Sequence, residues 1–240
     1  MKKFILINTL LYIGATFLSI VQAQDTAQFI GIPVNVTVKL KVPEANFMDY
    51  DTLFKAKRIF TDVSQVSNST VEELVSSVYS ADNQKWVNFN YYQPEQAPKF
   101  NKKEYKERAS KNIDTSFYQL IHRLSFLHDG IPTAIVKYRY IKEGVPQNFG
   151  SLIAQNINNR WYVVNIPELE EQRKLIQAIK TEMFIALSTG RARRDDILKQ
   201  LIDQTRGVFF ALDITALSEF YSQWVKENNM EMLKHFCDGY

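Results

Sequence analysis

With 240 residues, 45% of them hydrophobic and 23% charged, the chain has enough apolar side chains to bury a substantial core. Lys and Arg number 29 against 26 Asp and Glu, a formal charge of +3 that gives no bulk attraction to nucleic acid or anionic lipid. Cys237 is the one cysteine, which excludes an intramolecular disulfide and a cysteine zinc site.

Lys2 and Lys3 precede an apolar run from Phe4 to Val21, and Val21-Gln22-Ala23 supplies a cleavage pattern after Ala23. That order is the order of a secretory signal peptide over 1–23. A transmembrane anchor competes with it, since the run is nearly long enough to span a bilayer, but Asn8, Thr9, Thr16, Ser19 and Gln22 make a poor anchor. Cleavage removes Lys2 and Lys3 and no acid, which leaves 27 basic against 26 acidic side chains and a balance of +1. An exported chain without disulfides fits a bacterial periplasm or surface, so a periplasmic or secreted location is expected, with no stable membrane insertion after cleavage. Two glycosylation sequons, at Asn35 and Asn68, carry no weight in so asparagine-rich a chain.

Val34, Val36, Val38, Leu40 and Val42 alternate with polar residues up to Pro43, the pattern of a half-buried strand. From Glu44 to Val66 the pattern weakens and fits a helix or a returning strand. Ser69 with Glu72 and Thr70 with Glu73 form two overlapping capping boxes, and Val71, Leu74, Val75, Val78 and Tyr79 then share one helical stripe. The helix should stop near Ala81-Asp82-Asn83, with a short second helix carrying Trp86 and Phe89. After a loop marked by Pro94 and Pro98, Asn101 with Glu104 opens a third, charge-rich helix.

Phe117 to Ile166 reads as an antiparallel meander with turns at Asp129-Gly130, Glu143-Gly144 and Asn158-Asn159. Strict alternation puts Tyr118, Leu120, His122, Leu124, Phe126 and His128 on one face, with Ala134, Val136, Tyr138 and Tyr140 beside them. The opposite face then carries Arg123, Ser125, Lys137 and Arg139 and is open or partly covered. After Pro167 the chain turns helical: Leu169, Ile176, Ile179, Met183 and Leu187 form the stripe of a helix ended by Gly190. Further helices follow, with Phe220, Tyr221 and Trp224 on one of them. The expected fold is therefore α+β, a curved antiparallel sheet packed on N-terminal helices, with an extra N-terminal strand. Residues 24–166 make that domain, and a C-terminal helical region, 167–240, docks on it.

The helix of Val71 to Phe89 with its Ala81-Asp82 break and Trp86, followed by Thr133 to Asn165, resembles the nuclear transport factor two-like superfamily of cone-shaped domains. Ala134-Ile135-Val136-Lys137-Tyr138-Arg139-Tyr140, Gly150-Ser151-Leu152 and Asn159-Arg160-Trp161-Tyr162-Val163-Val164 look like the closing strands of its small exported members. The resemblance covers about Ser69 to Ile166 and implies a pocket between sheet and helices. The superfamily includes enzymes and binding modules alike, so it does not choose a function.

Its ketosteroid isomerase-like enzymes need a carboxylate base inside the cone, yet the only acids between Phe117 and Ile166 are Asp129 and Glu143, both at turns. Asp82 is more simply a turn residue. His122 and His128 stand about 20 Å apart along one strand, too far to share a metal. No metal site, cofactor or catalytic set is therefore expected. Trp86, Tyr118, His122, Tyr138, Tyr140 and Trp161 are the candidate ligand-binding residues, lining an aromatic pocket. Filling a core is the competing role for them. Arg191, Arg193 and Arg194 form a basic cluster opposed by Asp195 and Asp196.

The leading expectation is a non-enzymatic binding or interaction protein of the cell envelope that takes an unknown small ligand or envelope protein through this pocket or the C-terminal helices. The alternative is an envelope enzyme using His122 with Tyr138 or Tyr140. A third reading is a homodimer formed through the sheet face around Lys137 and Arg139.

Overall fold

A computed structural model describes residues 38–39, 46–50, 54–110, 112, 114–189 and 237–238. The 1–23 leader, the Asn35 sequon, most of the 34–42 strand, the Arg191–Arg194 cluster and the helix bearing Phe220, Tyr221 and Trp224 lie outside these residues.

The described residues form an α+β fold. Three short strands, β1 (Val38–Lys39), β2 (Asn46–Asp49) and β3 (Lys55–Ala56), precede three helices, α1 (Val71–Ser80), α2 (Gln84–Phe89) and α3 (Lys102–Ala109). The meander follows as β4 (Phe117–His128), β5 (Ile131–Lys142), β6 (Val145–Ile157) and β7 (Arg160–Val164), and then come α4 (Glu170–Ala178) and α5 (Thr181–Thr189). The sheet is antiparallel in the order β1-β2-β4-β5-β6-β7, with β3 pairing the first half of β4. The described part of the weak stretch after Glu44 holds these two short strands and a single 3-10 turn at Val63–Gln65.

Local chemistry accounts for the turns and helix starts. At all three hairpin turns both central residues have positive φ, from 51° at Asp129 and Glu143 to 78° at Gly144. Type I′ two-residue hairpin turns require that conformation, which Asn and Gly adopt cheaply. Thr70 Oγ1 caps α1 by accepting from Glu73 N at 3.1 Å, and Glu73 in turn accepts from the amides of Ser67 and Ser69 at 2.8 Å. The box expected between Ser69 and Glu72 does not form, because Glu72 turns inward. Asn83 caps α2, and Asn101 with Glu104 makes a reciprocal box at α3.

A register shift between Leu120 and His122 inserts Ile121 as an extra residue in β4. Tyr118 pairs with Tyr140 and Leu120 with Tyr138, but beyond the bulge His122 pairs with Lys137 and Leu124 with Ile135. Adjacent residues of β5 point to opposite faces, so the bulge moves Tyr118 and His122 to opposite sides of the sheet. The expectation that they share a wall is wrong for this reason. The first face carries Tyr118, Leu120, Arg123, Val136, Tyr138 and Tyr140 and meets α1. The second carries His122, Leu124, Ile135 and Lys137 and meets α4 and α5.

Both faces are packed. Leu74, Val75, Leu120 and Val136 are buried on the first, and Leu124, Ile135, Ile153, Leu175 and Ile176 on the second. Phe47 of β2 stacks on Phe184 of α5 with ring centroids 4.3 Å apart. The single helix expected up to Gly190 is interrupted: Ile179 is extended and pairs with Cys237 in an isolated antiparallel bridge. Along β7, Trp161 N donates to Asn68 O, Val163 N to Asn90 O, and Tyr92 N to Val163 O, at 2.8 to 3.1 Å.

Candidate functional site

Four tyrosines form one array between α1 and the first face of the sheet. Tyr118 stacks on Tyr138 with centroids 4.5 Å apart and an interplanar angle of 26°. Tyr79 of α1 lies 4.7 Å from Tyr118, and Tyr140 stands nearly perpendicular to Tyr118 at 5.8 Å. Tyr118, Tyr138 and Tyr140 each keep part of their surface exposed. Burial raises the phenols of Tyr79, Tyr118 and Tyr138, so these hydroxyls stay protonated. The hydroxyl oxygens of Tyr79 and Tyr140 are enclosed, so the array presents ring surface of Tyr118, Tyr138 and Tyr140 rather than those two hydroxyls.

Gly150 makes room for the array. A Cβ there would sit 2.6 Å from Cε2 of Tyr138, whose ring lies against the bare backbone of β6. Gly150→Ala is expected to swing that ring off Tyr118 and cost about 1–3 kcal/mol. Near-ultraviolet circular dichroism and urea denaturation read the two effects, and an unchanged tyrosine signal would show that the ring had not moved.

The charged groups bordering this face are engaged. Arg108 donates to Ala81 O at 3.1 Å and Val78 O at 2.9 Å, and its guanidinium lies over the Phe100 ring. Its charge thus sits at the negative end of α1. Glu72, buried on α1, accepts from Tyr50 and from Arg123 Nη1, the latter at 2.7 Å. Glu72 is the inward carboxylate that the sequence reading did not find. Its signal was its place in a helix that carries no charge from Leu74 to Ser80.

Of the six expected ligand-binding residues, Tyr118, Tyr138 and Tyr140 come together. Trp161 has the same strand phase as Val163, on the same face of the sheet, and is half-buried. Trp86 is fully buried and packs with Val66, Ala81, Val87 and Ala97, its Nε1 donating to Ser77 Oγ at 2.9 Å. It is a core residue and lines no pocket. His122 is also fully buried, on the other face. Ile176 O can only accept, so His122 Nε2 carries the proton at 2.9 Å and Nδ1 accepts from Thr181 Oγ1 at 2.9 Å. Burial, reinforced by the Lys137 charge, pulls the imidazole pKa down to about 3. Both nitrogens are occupied, and the ring is neutral.

Lys137 corrects another expectation. It is 0% exposed, covered by the α4–α5 junction, with Nζ 2.7 Å from Ile179 O and 2.8 Å from Asp238 Oδ2. The face around it is not open. Arg139, beside it, is half-buried with its guanidinium over the Phe149 ring at 4.1 Å. Asp82 lies between α1 and α2 and forms an ion pair with Arg58 at 2.5 Å, while Asn83 is the residue that caps α2. Asn68, 0% exposed, holds Asn90 through its side-chain amide. Among the described residues no three His, Cys, Asp or Glu side chains are grouped to hold a metal.

The chain matches no family model, no curated protein and no solved structure.

Proposed function

We propose that this chain is an exported cell-envelope binding module of the cone-shaped, nuclear transport factor two-like kind, with the tyrosine array as its contact surface. The observation that carries the reading is the partial exposure of three tyrosines in ring contact on one face, Tyr138 stacked on Tyr118 and Tyr140 edge-on to it, while Trp86 and His122 are closed off. Envelope location rests on the basic, then apolar, then cleavable order of residues 1–23. The ligand is uncharged where it meets the tyrosines, because Arg108 and Arg123 already have partners and Glu72 is held by Arg123. Rings or chains with an apolar face and a hydrogen-bonding edge fit this surface.

An enzyme built from His122 with Tyr138 or Tyr140 loses its geometric basis, since the two sets lie on opposite faces of the sheet. Native mass spectrometry of the protein purified from its own envelope tests the binding reading. A retained ligand is expected, held about tenfold more weakly by Tyr138→Ala and equally well by His122→Ala. A turnover activity that disappears with His122→Ala would sink the proposal.

A further inference from the structure

The second face of the sheet holds a charge that its surroundings do not require for packing. Lys137 is fully buried beneath the α4–α5 junction, and a buried ammonium is stable only where partners replace its water. Two hydrogen-bond acceptors do so, the Ile179 carbonyl at the end of α4 and the Asp238 carboxylate, and the Phe149 ring lies under the ammonium at 4.6 Å; only Asp238 brings a negative charge. Asp238 arrives from a distant part of the chain and is itself tied to the same junction, its amide donating to Ala178 O at 2.7 Å beside the Ile179–Cys237 bridge. His122 binds the last turn of α4 through Ile176 O and the start of α5 through Thr181. The break between the two helices is thus fastened to the sheet at three neighbouring points.

Much of the contact around the junction is polar. Ser151 of β6 donates to Gln177 Oε1 at 2.8 Å and accepts from Arg173 Nη1 at 2.7 Å, and Gln177 donates to Phe149 O. Gln155 and Thr133 are buried and bonded to each other on the same face. Such groups regain water if the helices lift, so separating this layer costs less than separating an apolar one of equal area. An apolar residue at Lys137 would pack there without needing a counterion. A charge retained in this position makes closure conditional on the carboxylate that meets it.

We propose that the Cys237–Asp238 segment is an electrostatic clasp that holds α4 and α5 on the sheet by supplying the counterion of Lys137. With the carboxylate in place the layer is closed. Without it, Lys137 is left buried with only the Ile179 carbonyl and the face of the Phe149 ring, neither of which carries a compensating charge, and the helices lift from the sheet to let the ammonium reach water. Cys237 then becomes accessible. Its thiol is 2% exposed and raised to about 11 by burial, so it is unreactive while the clasp holds.

The test uses the full chain, in which Cys237 is the single cysteine and reports alone. The Cys237 alkylation rate, normalised to the same protein in denaturant, and amide hydrogen exchange are followed for Asp238→Ala and for Lys137→Met/Asp238→Ala. Asp238→Ala is expected to react about tenfold faster, a value moderated by the partial exposure of Asp238. Exchange rises in α4 and α5 but not at Leu124, Ile135 or Ile153. The double variant, with no buried charge to neutralise, returns to near the wild-type rate. A wild-type rate for Asp238→Ala, a double variant as reactive as the single one, or exchange rising equally through the central strands overturns the clasp.

Discussion

The urea midpoint of the wild-type protein falls between about pH 7 and pH 4 by more than that of His122→Gln, and the difference amounts to about 3 kcal/mol. In the folded protein the imidazole is held neutral, with a pKa of about 3 against an ordinary 6.5, first by burial and then by the charge of Lys137. Through that interval the unfolded chain binds a proton that the folded chain refuses. The stability contributed by neutral His122 is therefore complete above about pH 6.5 and is lost as the pH falls towards 3. Glutamine can still donate to Ile176 O but does not titrate, and comparing the two proteins cancels the carboxylates they share. Equal slopes in the two proteins would show that folded His122 takes up a proton as readily as the unfolded chain does, and that burial does not hold the imidazole neutral.

Trp86→Ala is expected to cost about 4 kcal/mol, enough to lower the midpoint of thermal unfolding by about 10 °C. The indole is completely buried in the cluster of Val66, Val87 and Ala97, where its removal leaves a cavity that short helix α2 cannot collapse into. It also leaves Ser77 Oγ without the donor that Trp86 Nε1 supplies, and Ser77 in turn bonds Asn90 at 2.7 Å. Trp161→Ala, at a half-buried position, should cost about 1 kcal/mol. Calorimetry of the two variants separates a fully buried residue from a half-buried one, and equal losses would contradict the burial assigned to Trp86.

The parts of the fold that rest on local chemistry were readable from residue types. Asp129-Gly130, Glu143-Gly144 and Asn158-Asn159 specify hairpin turns because few other pairs tolerate positive φ, and Thr70 and Asn101 mark helix starts through their side-chain oxygens; Asn83, expected only as part of a helix end, caps α2 in the same way. The bulge at Ile121 was not readable in the same way. One inserted residue inverts the phase of everything on one side of it, and the only trace is the consecutive apolar pair Leu120-Ile121. That inversion decided which candidate site residues meet: three tyrosines do, and His122 does not.

Two other features were hidden by sequence distance. Glu72 sits where a capping partner was expected, and its partners Tyr50 and Arg123 are 22 and 51 residues away. The α4–α5 break at Ile179 is imposed by Cys237, Asp238 and Lys137 against a stripe that would otherwise continue as one helix. Propensity yields there to tertiary contact.

The bonds along β7 have a consequence for assembly. A strand at the margin of a sheet normally offers unpaired amides and carbonyls to any other extended chain, the usual starting point for strand-by-strand polymerisation. Here Asn68, Asn90 and Tyr92 occupy the positions an added strand would take at Trp161 and Val163. Strand addition at Trp161 and Val163 is therefore blocked, and the sheet does not grow past β7 by backbone pairing there.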